Sequence, residues 1–319
     1  MTRGELSGRH AVVTGGSGYI GSALAGWLDD RGCEVTVLAR RRPGTLAKRI
    51  AFVPWRIGDA IPPGILKGGD LVFHLAHDWA ADTLDPAHSS NLQGTIALLD
   101  AARAADAGRV IFASSQLAAP DSLSHYARVK HAIETRLHPP RETAVRIGFV
   151  YGGTWGGPAG RMMRMVRRAP VVPVPSDAAP VSPVHIDDLC AALADIALSE
   201  DGGTGPRFVA GPEKIPLSAF ARTVGRDRFG RICLAIPVPA GWFSLAARCI
   251  PPRLAPSLRD RLAGLGALAD AGSERRFLQD PFGDFLAGAA ADGAGLRQDQ
   301  GRGARRLGAR RPGQLVERF

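Results

Sequence analysis

In the stretch SHYARVK, Tyr126 and Lys130 stand four residues apart. On a helix such residues share a face, one turn from each other. A nearby ammonium favours a phenolate and brings a tyrosine hydroxyl toward proton exchange near neutral pH. The same spacing also occurs on an ordinary surface helix, so two readings stand side by side. Composition sharpens the choice. Of 40 lysines and arginines only Lys48, Lys67, Lys130 and Lys214 are lysines, and the three tyrosines are Tyr19, Tyr126 and Tyr151. A chain that uses arginine almost everywhere keeps a lysine one turn after a scarce tyrosine.

A second group of residues could hold a nucleotide. The apolar run HAVVT reads as a buried parallel strand, and GGSGYIGSALAGWLDDRG follows it directly. Gly15, Gly18 and Gly21 give a GxxGxxG pattern, and Ile20, Leu24, Trp27 and Leu28 then recur at helical spacing. Glycines permit the tight turn and the close backbone approach that a pyrophosphate needs. The helix start, with Tyr19, Ile20 and Gly21, offers it open N–H groups. The next strand ends VLARRRPG. Ala39 cannot accept the ribose 2′-hydroxyl bond that an acidic residue makes there in NAD sites, whereas Arg40, Arg41 and Arg42 suit a 2′-phosphate. The cofactor expected is therefore NADP, with NAD as the alternative, and a plain solvated arginine run as the bland reading.

These residues need a frame. Strands and helices alternate from His10 to about Val150, which predicts an α/β fold with a Rossmann-type, doubly wound parallel sheet. The dinucleotide-binding domain is expected over 8–153, with 181–211 returning to it. A smaller, C-terminal substrate lobe is expected over 154–180 and 212–287. From about Gly288 the chain turns to glycine, alanine and arginine, and 288–319 reads as a basic, disordered tail. That tail carries much of the net charge of +10. Elsewhere basic residues are dispersed without interleaved aromatics, so no nucleic-acid partner is expected. Ile232 to Ile250 is apolar and long, but Pro237, Pro239 and Arg248 interrupt it, so a strand followed by an amphipathic helix is read there rather than a transmembrane segment. Four separated cysteines and a start without a signal-peptide pattern fit a reducing, cytoplasmic setting. HIDDL resembles a metal motif, but helix capping is the simpler account and no metal is expected.

The pieces together resemble the extended short-chain dehydrogenases/reductases, the NAD-dependent epimerase/dehydratase family. TGGSGYIGSAL, DLVFHLAH, NLQGTIALLDAA, RVIFASSQ, YARVK, RIGFVYGG and PVHIDDL follow one another in family order over roughly residues 10 to 285. The resemblance implies that Tyr126 is the acid/base, that Lys130 also bonds the nicotinamide ribose, and that Ser115 holds the substrate oxygen, with Ser114 as the adjacent alternative. It places Leu75 and Ala76 beside the cofactor, adds Asn91 as a backbone-bonding residue near it, and leaves His74 and His77 as structural histidines. The implied activity is NAD(P)-dependent hydride transfer at a carbonyl or hydroxyl carbon of a small substrate. A nucleotide sugar is one candidate, by epimerase or by ketone or sugar reductase chemistry. A homodimer is compatible with this reading.

Departures from the family pattern bear on substrate and cofactor. Ten residues separate Ser115 from Tyr126, a shorter loop than in many nucleotide-sugar enzymes of the family. Arg56 stands where an adenine-contacting aspartate is common, and Ile147 where proline is common. Gln116 and Leu117 replace the acidic pair of the family's dehydratases. A non-catalytic nucleotide-binding structural or assembly subunit of the same fold is the competing function. The retained Ser115, Tyr126 and Lys130 argue against it.

Overall fold

The computed structural model describes residues 5–67, 70–79, 89–122, 124–176, 178, 180–199, 203–239, 241, 242, 245 and 249. The proposed tail at 288–319 and most of the second half of the expected lobe lie outside these residues.

The first half alternates as its apolar runs require. In chain order it contains β1 (His10–Thr14), α1 (Tyr19–Asp29), β2 (Glu34–Ala39), β3 (Ala51–Pro54), β4 (Leu71–His74), α2 (Ser90–Ala104), β5 (Arg109–Ser115), α3 (His125–Glu134) and β6 (Glu142–Ile147). Then come β7 (Phe149–Tyr151), α4 (Gly157–Arg168), β8 (Val171–Pro175), β9 (Pro183–His185), α5 (Ile186–Leu198), β10 (Arg207–Val209), α6 (Leu217–Thr223), one π-helical turn at Val224–Arg228, and β11 (Leu234–Val238). The large sheet has seven strands in the order β10-β6-β5-β4-β1-β2-β3. Every pairing within it is parallel.

A parallel sheet is covered on both faces, so alternate residues of one strand enter different cores. Ala11, Val13, Val35, Val37, Phe73 and Ile111 pack with Leu24 and Leu28 of α1 and Leu189 and Leu193 of α5. On the other face, Val12, Leu38, Val72 and Val110 pack with Leu98 and Leu99 of α2. Phe112 and Ala144 meet Val129 and Ile133 of α3. The two faces thus place α1 and α5 on one side and α2 and α3 on the other.

The 181–211 stretch returns to the large sheet through α5 and β10, but its first strand does not join that sheet. β9 pairs with β7 instead, in a separate two-stranded sheet. The chain leaves the large sheet at Gly148, where a β-carbon would lie 2.8 Å from Ala210 Cβ and 3.0 Å from the Ser182 carbonyl oxygen. Beyond this bend Phe149 and Tyr151 enter a second core with Met162, Met163 and Val166 of α4, Val172 and Val174 of β8, and Phe220. β8 and β11 pair in parallel to wall that smaller core.

The glycine loop shows why its residues cannot carry side chains. Gly15 has φ +71°, and a β-carbon on it would lie 2.7 Å from the Ala76 nitrogen at the end of β4. A β-carbon on Gly21 would lie 2.4 Å from the Gly15 carbonyl oxygen, which is backbone and cannot swing aside. Gly26, on the same helix, has nothing within 4 Å of that position. Gly21→Ala should therefore lose roughly 1–3 kcal/mol of stability by overpacking. Gly26→Ala should be neutral or gain up to about 1 kcal/mol from helix propensity. Urea unfolding of the two variants beside the parent checks this pair, and equal stabilities would refute the close-approach account.

Candidate active site

β1, β4, β5 and α3 bring the chemistry together at the carboxyl ends of the central strands. The order β4-β1-β2 reverses the direction of winding at β1, which in open α/β sheets opens a crevice for ligands.

Helix α3 starts on Ser124, whose hydroxyl accepts the Ala127 N–H, and it buries Ala127, Val129, Lys130 and Ile133. Lys130 is only 3% exposed. Its ammonium donates to the Ala113 carbonyl of β5 at 2.6 Å. The same nitrogen stands 4.5 Å from the Phe112 ring centre and 5.7 Å from that of Tyr126. Cation–π contact with two rings and one charge-assisted hydrogen bond offset the desolvation of a buried ammonium. The predicted Tyr126–Lys130 pair is thus a buried ammonium beside a half-buried ring rather than a solvated helix face.

Alternation along β5 separates the two serines. Ser114 donates to Glu134, which in turn holds the Arg146 guanidinium through Nη2 at 2.6 Å. That hydroxyl is engaged in a structural ion-pair network between α3 and β6. Ser115 faces the other way, and its Oγ accepts the Leu117 N–H at 3.2 Å in a turn at the strand end.

His74 is fully buried between two threonines. Thr95 Oγ1 donates to the Asn91 carbonyl at 2.7 Å, so it can only accept from His74 Nε2, at 2.9 Å. Thr14 Oγ1 accepts the Ala76 N–H at 3.2 Å and donates to His74 Nδ1 at 2.7 Å. The directions of these bonds assign a neutral imidazole with its proton on Nε2. Burial, and then the Lys130 charge, push the His74 pKa down to about 3. Burial does the same for His77, with further lowering by Lys130, His74 and His125. His74 is a structural histidine that ties β1, β4 and α2.

His77 stands against the tyrosine. Its ring meets Tyr126 edge-on at 5.0 Å and 89°. Trp79 stacks on the other ring partner, Tyr126, at 4.9 Å and 19°, and touches His77 at 4.6 Å. The motifs gave no sign of Trp79. An aromatic residue two positions beyond HLAH was the available signal. Buried Asn91 explains how this loop is held: its Oδ1 accepts the Asp78 N–H at 2.7 Å and its Nδ2 donates to the Asp78 carbonyl at 2.9 Å.

The residues expected to hold a dinucleotide fit one. Gly18 caps α1 without a side-chain bond, so the first turn with Tyr19, Ile20 and Gly21 presents its backbone N–H groups at the glycine loop. Leu75 and Ala76 run directly beside Gly15, tied to Thr14 by N–H bonds of 3.3 and 3.2 Å. The Tyr19 hydroxyl donates to the Gly152 carbonyl at 2.8 Å, so this side chain bolts the loop after β7 rather than facing a ligand.

The arginine run divides. Arg42 donates to the Ala47 and Ile50 carbonyls at 2.9 and 3.2 Å and so braces the β2–β3 connection. Arg40 and Arg41 are exposed at the end of β2, and neither makes an ion pair among the described residues. At the end of β3 the Asp59 carboxylate accepts the Arg56 N–H at 2.8 Å and closes a turn. In HIDDL, His185 caps α5 by accepting the Asp187 N–H, and Asp187 and Asp188 occupy the first turn. No group of potential metal ligands occurs among the described residues. A cleft of about 450 Å³ between α1 and α5, lined by Trp27, Arg31, His185, Asp187 and Asp188, shares no residue with the Tyr126 cluster. The cluster, not this cleft, brings together the groups that could exchange a proton, and it is the candidate site.

Comparison with known proteins gives the family and the fold. The model of the NAD dependent epimerase/dehydratase family matches residues 11–211. Ceramide reductase of Caulobacter vibrioides is 35% identical over 188 residues, which is 57% of this chain and 59% of that protein. The 2-alkyl-3-oxoalkanoate reductase of Stenotrophomonas maltophilia is 34% identical over 128 residues, 39% of this chain and 36% of that protein. This chain therefore spans well under two thirds of either relative. Among solved structures, Thermus thermophilus UDP-glucose 4-epimerase in complex with NAD superposes with a TM-score of 0.57 at 23% identity, covering 72% of this chain and 86% of that one. At that identity the likeness shows the fold.

The neutral histidines predict a pH dependence. In the unfolded chain an imidazole takes its proton near 6.5, whereas His74 and His77 stay neutral in the fold to about 3. Between those values the unfolded chain binds more protons, so stability is complete above about pH 7 and falls as pH falls. Each histidine should remove about 2 kcal/mol between pH 7 and pH 5. Urea midpoints at pH 7.5, 6 and 5 measure it, and a flat profile would contradict burial of neutral imidazoles.

Proposed function

This chain belongs to the NAD-dependent epimerase/dehydratase family, and from that premise we propose that it is an NADPH-dependent carbonyl reductase. The observation that carries the proposal is the Lys130 ammonium, fixed on Ala113 O at 2.6 Å beneath the Tyr126 ring. A tyrosine so placed can pass its hydroxyl proton to a carbonyl oxygen, because the adjacent positive charge stabilises the phenolate left behind. Ser115 is assigned to orient that oxygen by a hydrogen bond. A bound reduced nicotinamide supplies the hydride that the carbonyl carbon gains. Product alcohol then leaves, and the phenolate recovers a proton from water.

Two observations favour reduction with NADPH. Arg40 and Arg41 offer two exposed guanidinium groups at the strand end where a 2′-phosphate would lie. Two relatives above 30% identity carry the name reductase. A nucleotide-sugar epimerase is the second reading. It is favoured by a UDP-glucose 4-epimerase of Streptomyces lividans that is 33% identical over 121 residues. Epimerisation with NAD leaves no net oxidised or reduced product, so net NADPH consumption separates the two.

Arg40→Ala should weaken NADPH binding by roughly 1.5–3 kcal/mol through loss of a charge-assisted phosphate contact, and leave NADH nearly unaffected. Titration of both nucleotides against both proteins reads this directly, and a parent protein that prefers NADH would overturn the NADP assignment.

Tyr126→Phe should cut turnover by about 10²-fold or more while NADPH still binds. Lys130→Arg should also lose turnover, since a planar fork does not replace a compact ammonium under two rings. Steady-state NADPH oxidation with a panel of ketones is the measurement. Full activity in both variants would remove this pair from the mechanism.

A further inference from the structure

We propose that Trp79 is a specificity-determining residue of this site, and that the substrate is a ketone flanked by an apolar group, such as a hydrocarbon chain, rather than a nucleotide sugar. The inference rests on the reductase reading above. Trp79 is 70% exposed, although its indole touches both Tyr126 and His77. One face of its indole covers Tyr126 in a near-parallel stack. With the indole stacked on the Tyr126 ring, a ketone that bonds the Tyr126 hydroxyl comes within reach of an exposed aromatic surface. A broad aromatic surface gains most from burial against hydrocarbon, and loses hydration least usefully against a charged diphosphate.

The position of Trp79 is built rather than incidental. The preceding residue, Asp78, is gripped at both its N–H and its carbonyl by the buried Asn91 amide. His77, one residue earlier, abuts both the indole and the tyrosine. Asn91 belongs to α2, whose carbonyl at the same residue also ends the His74 hydrogen-bond chain. The indole is thus referenced to β1 and β4 through side chains that serve no solvent-facing purpose.

The test uses binding as well as turnover. The full chain, Trp79→Phe and Trp79→Ala are titrated calorimetrically with a long-chain 3-oxo ester, its short-chain counterpart and UDP-glucose, each in the presence of oxidised NADP. The long-chain ester should bind the parent, and its Kd should rise about tenfold in Trp79→Ala. Trp79→Phe should keep most of the affinity, and the short-chain ester should respond little to any variant. Equal losses for long and short chains would show that Trp79 only supports Tyr126, and tighter binding of UDP-glucose than of the long-chain ester would show a nucleotide-sugar site. Either result overturns the proposal. Absence of NADPH oxidation by the parent with every ketone would defeat the reductase reading instead, and the binding titrations still report on Trp79. Because the indole is mostly exposed, the alanine variant should fold, which its urea midpoint checks.

Discussion

A buried ammonium must be satisfied, and Lys130 shows how much structure that requirement organises. Removing such a charge from water costs several kcal/mol even after relaxation. Here the Ala113 carbonyl and the faces of Phe112 and Tyr126 surround it. The carbonyl fixes α3 against the end of β5, and Tyr126, one turn earlier, is carried to the same place. Burial, and after it this charge, keeps His74 and His77 neutral. The hydrogen-bond directions at Thr14 and Thr95 select one neutral tautomer of His74, and the chain of bonds ties two strands to α2. The cation thus holds the helix in position and adds to the forces that keep the neighbouring imidazoles uncharged.

Much of this was legible in the residues because its causes are local. The glycine loop stands between an apolar run and a helical period, and the contact that excludes a side chain at Gly21 lies within that short unit, whereas that at Gly15 is with the end of β4. The parallel sheet follows from repeated alternation of strand and helix. Other features depend on long-range partners. Arg40, Arg41 and Arg42 are chemically identical, and it takes the carbonyls of Ala47 and Ile50 and the ring of Phe52 to set Arg42 apart. Ser114 and Ser115 alternate predictably, yet it takes Glu134 and Arg146 to say which of them is engaged in scaffolding. β9 looks like another sheet strand, but three residues carry too little pattern to reveal that Gly148 diverts its partner. Trp79 and Tyr126 lie far apart in the chain, so no period could join them.

The smaller core shows how the fold divides its duties. Phe149 and Tyr151 follow β6 immediately but pack with Met162, Met163 and Phe220. The strand that closes the nucleotide half therefore also founds the second core. Tyr19 reinforces this link, since its ring lies under the Gly152–Gly157 loop and its hydroxyl holds Gly152. A residue in the nucleotide loop motif thus serves as a fastening for the other half of the protein.

The order of the large sheet has a consequence for how the protein behaves among its neighbours. Its outermost strands are β3 and β10, with four and three residues. β3 ends on Pro54, which has no N–H to offer, and Pro206 and Pro212 stand close on either side of β10. Open strand edges are templates on which a second chain can pair, and shortness and proline are the usual ways of denying it. The long, strongly apolar strands lie in the middle, each with both flanks taken. The rims of the large sheet are thus short and flanked by proline, which makes them poor templates for a second copy of the chain.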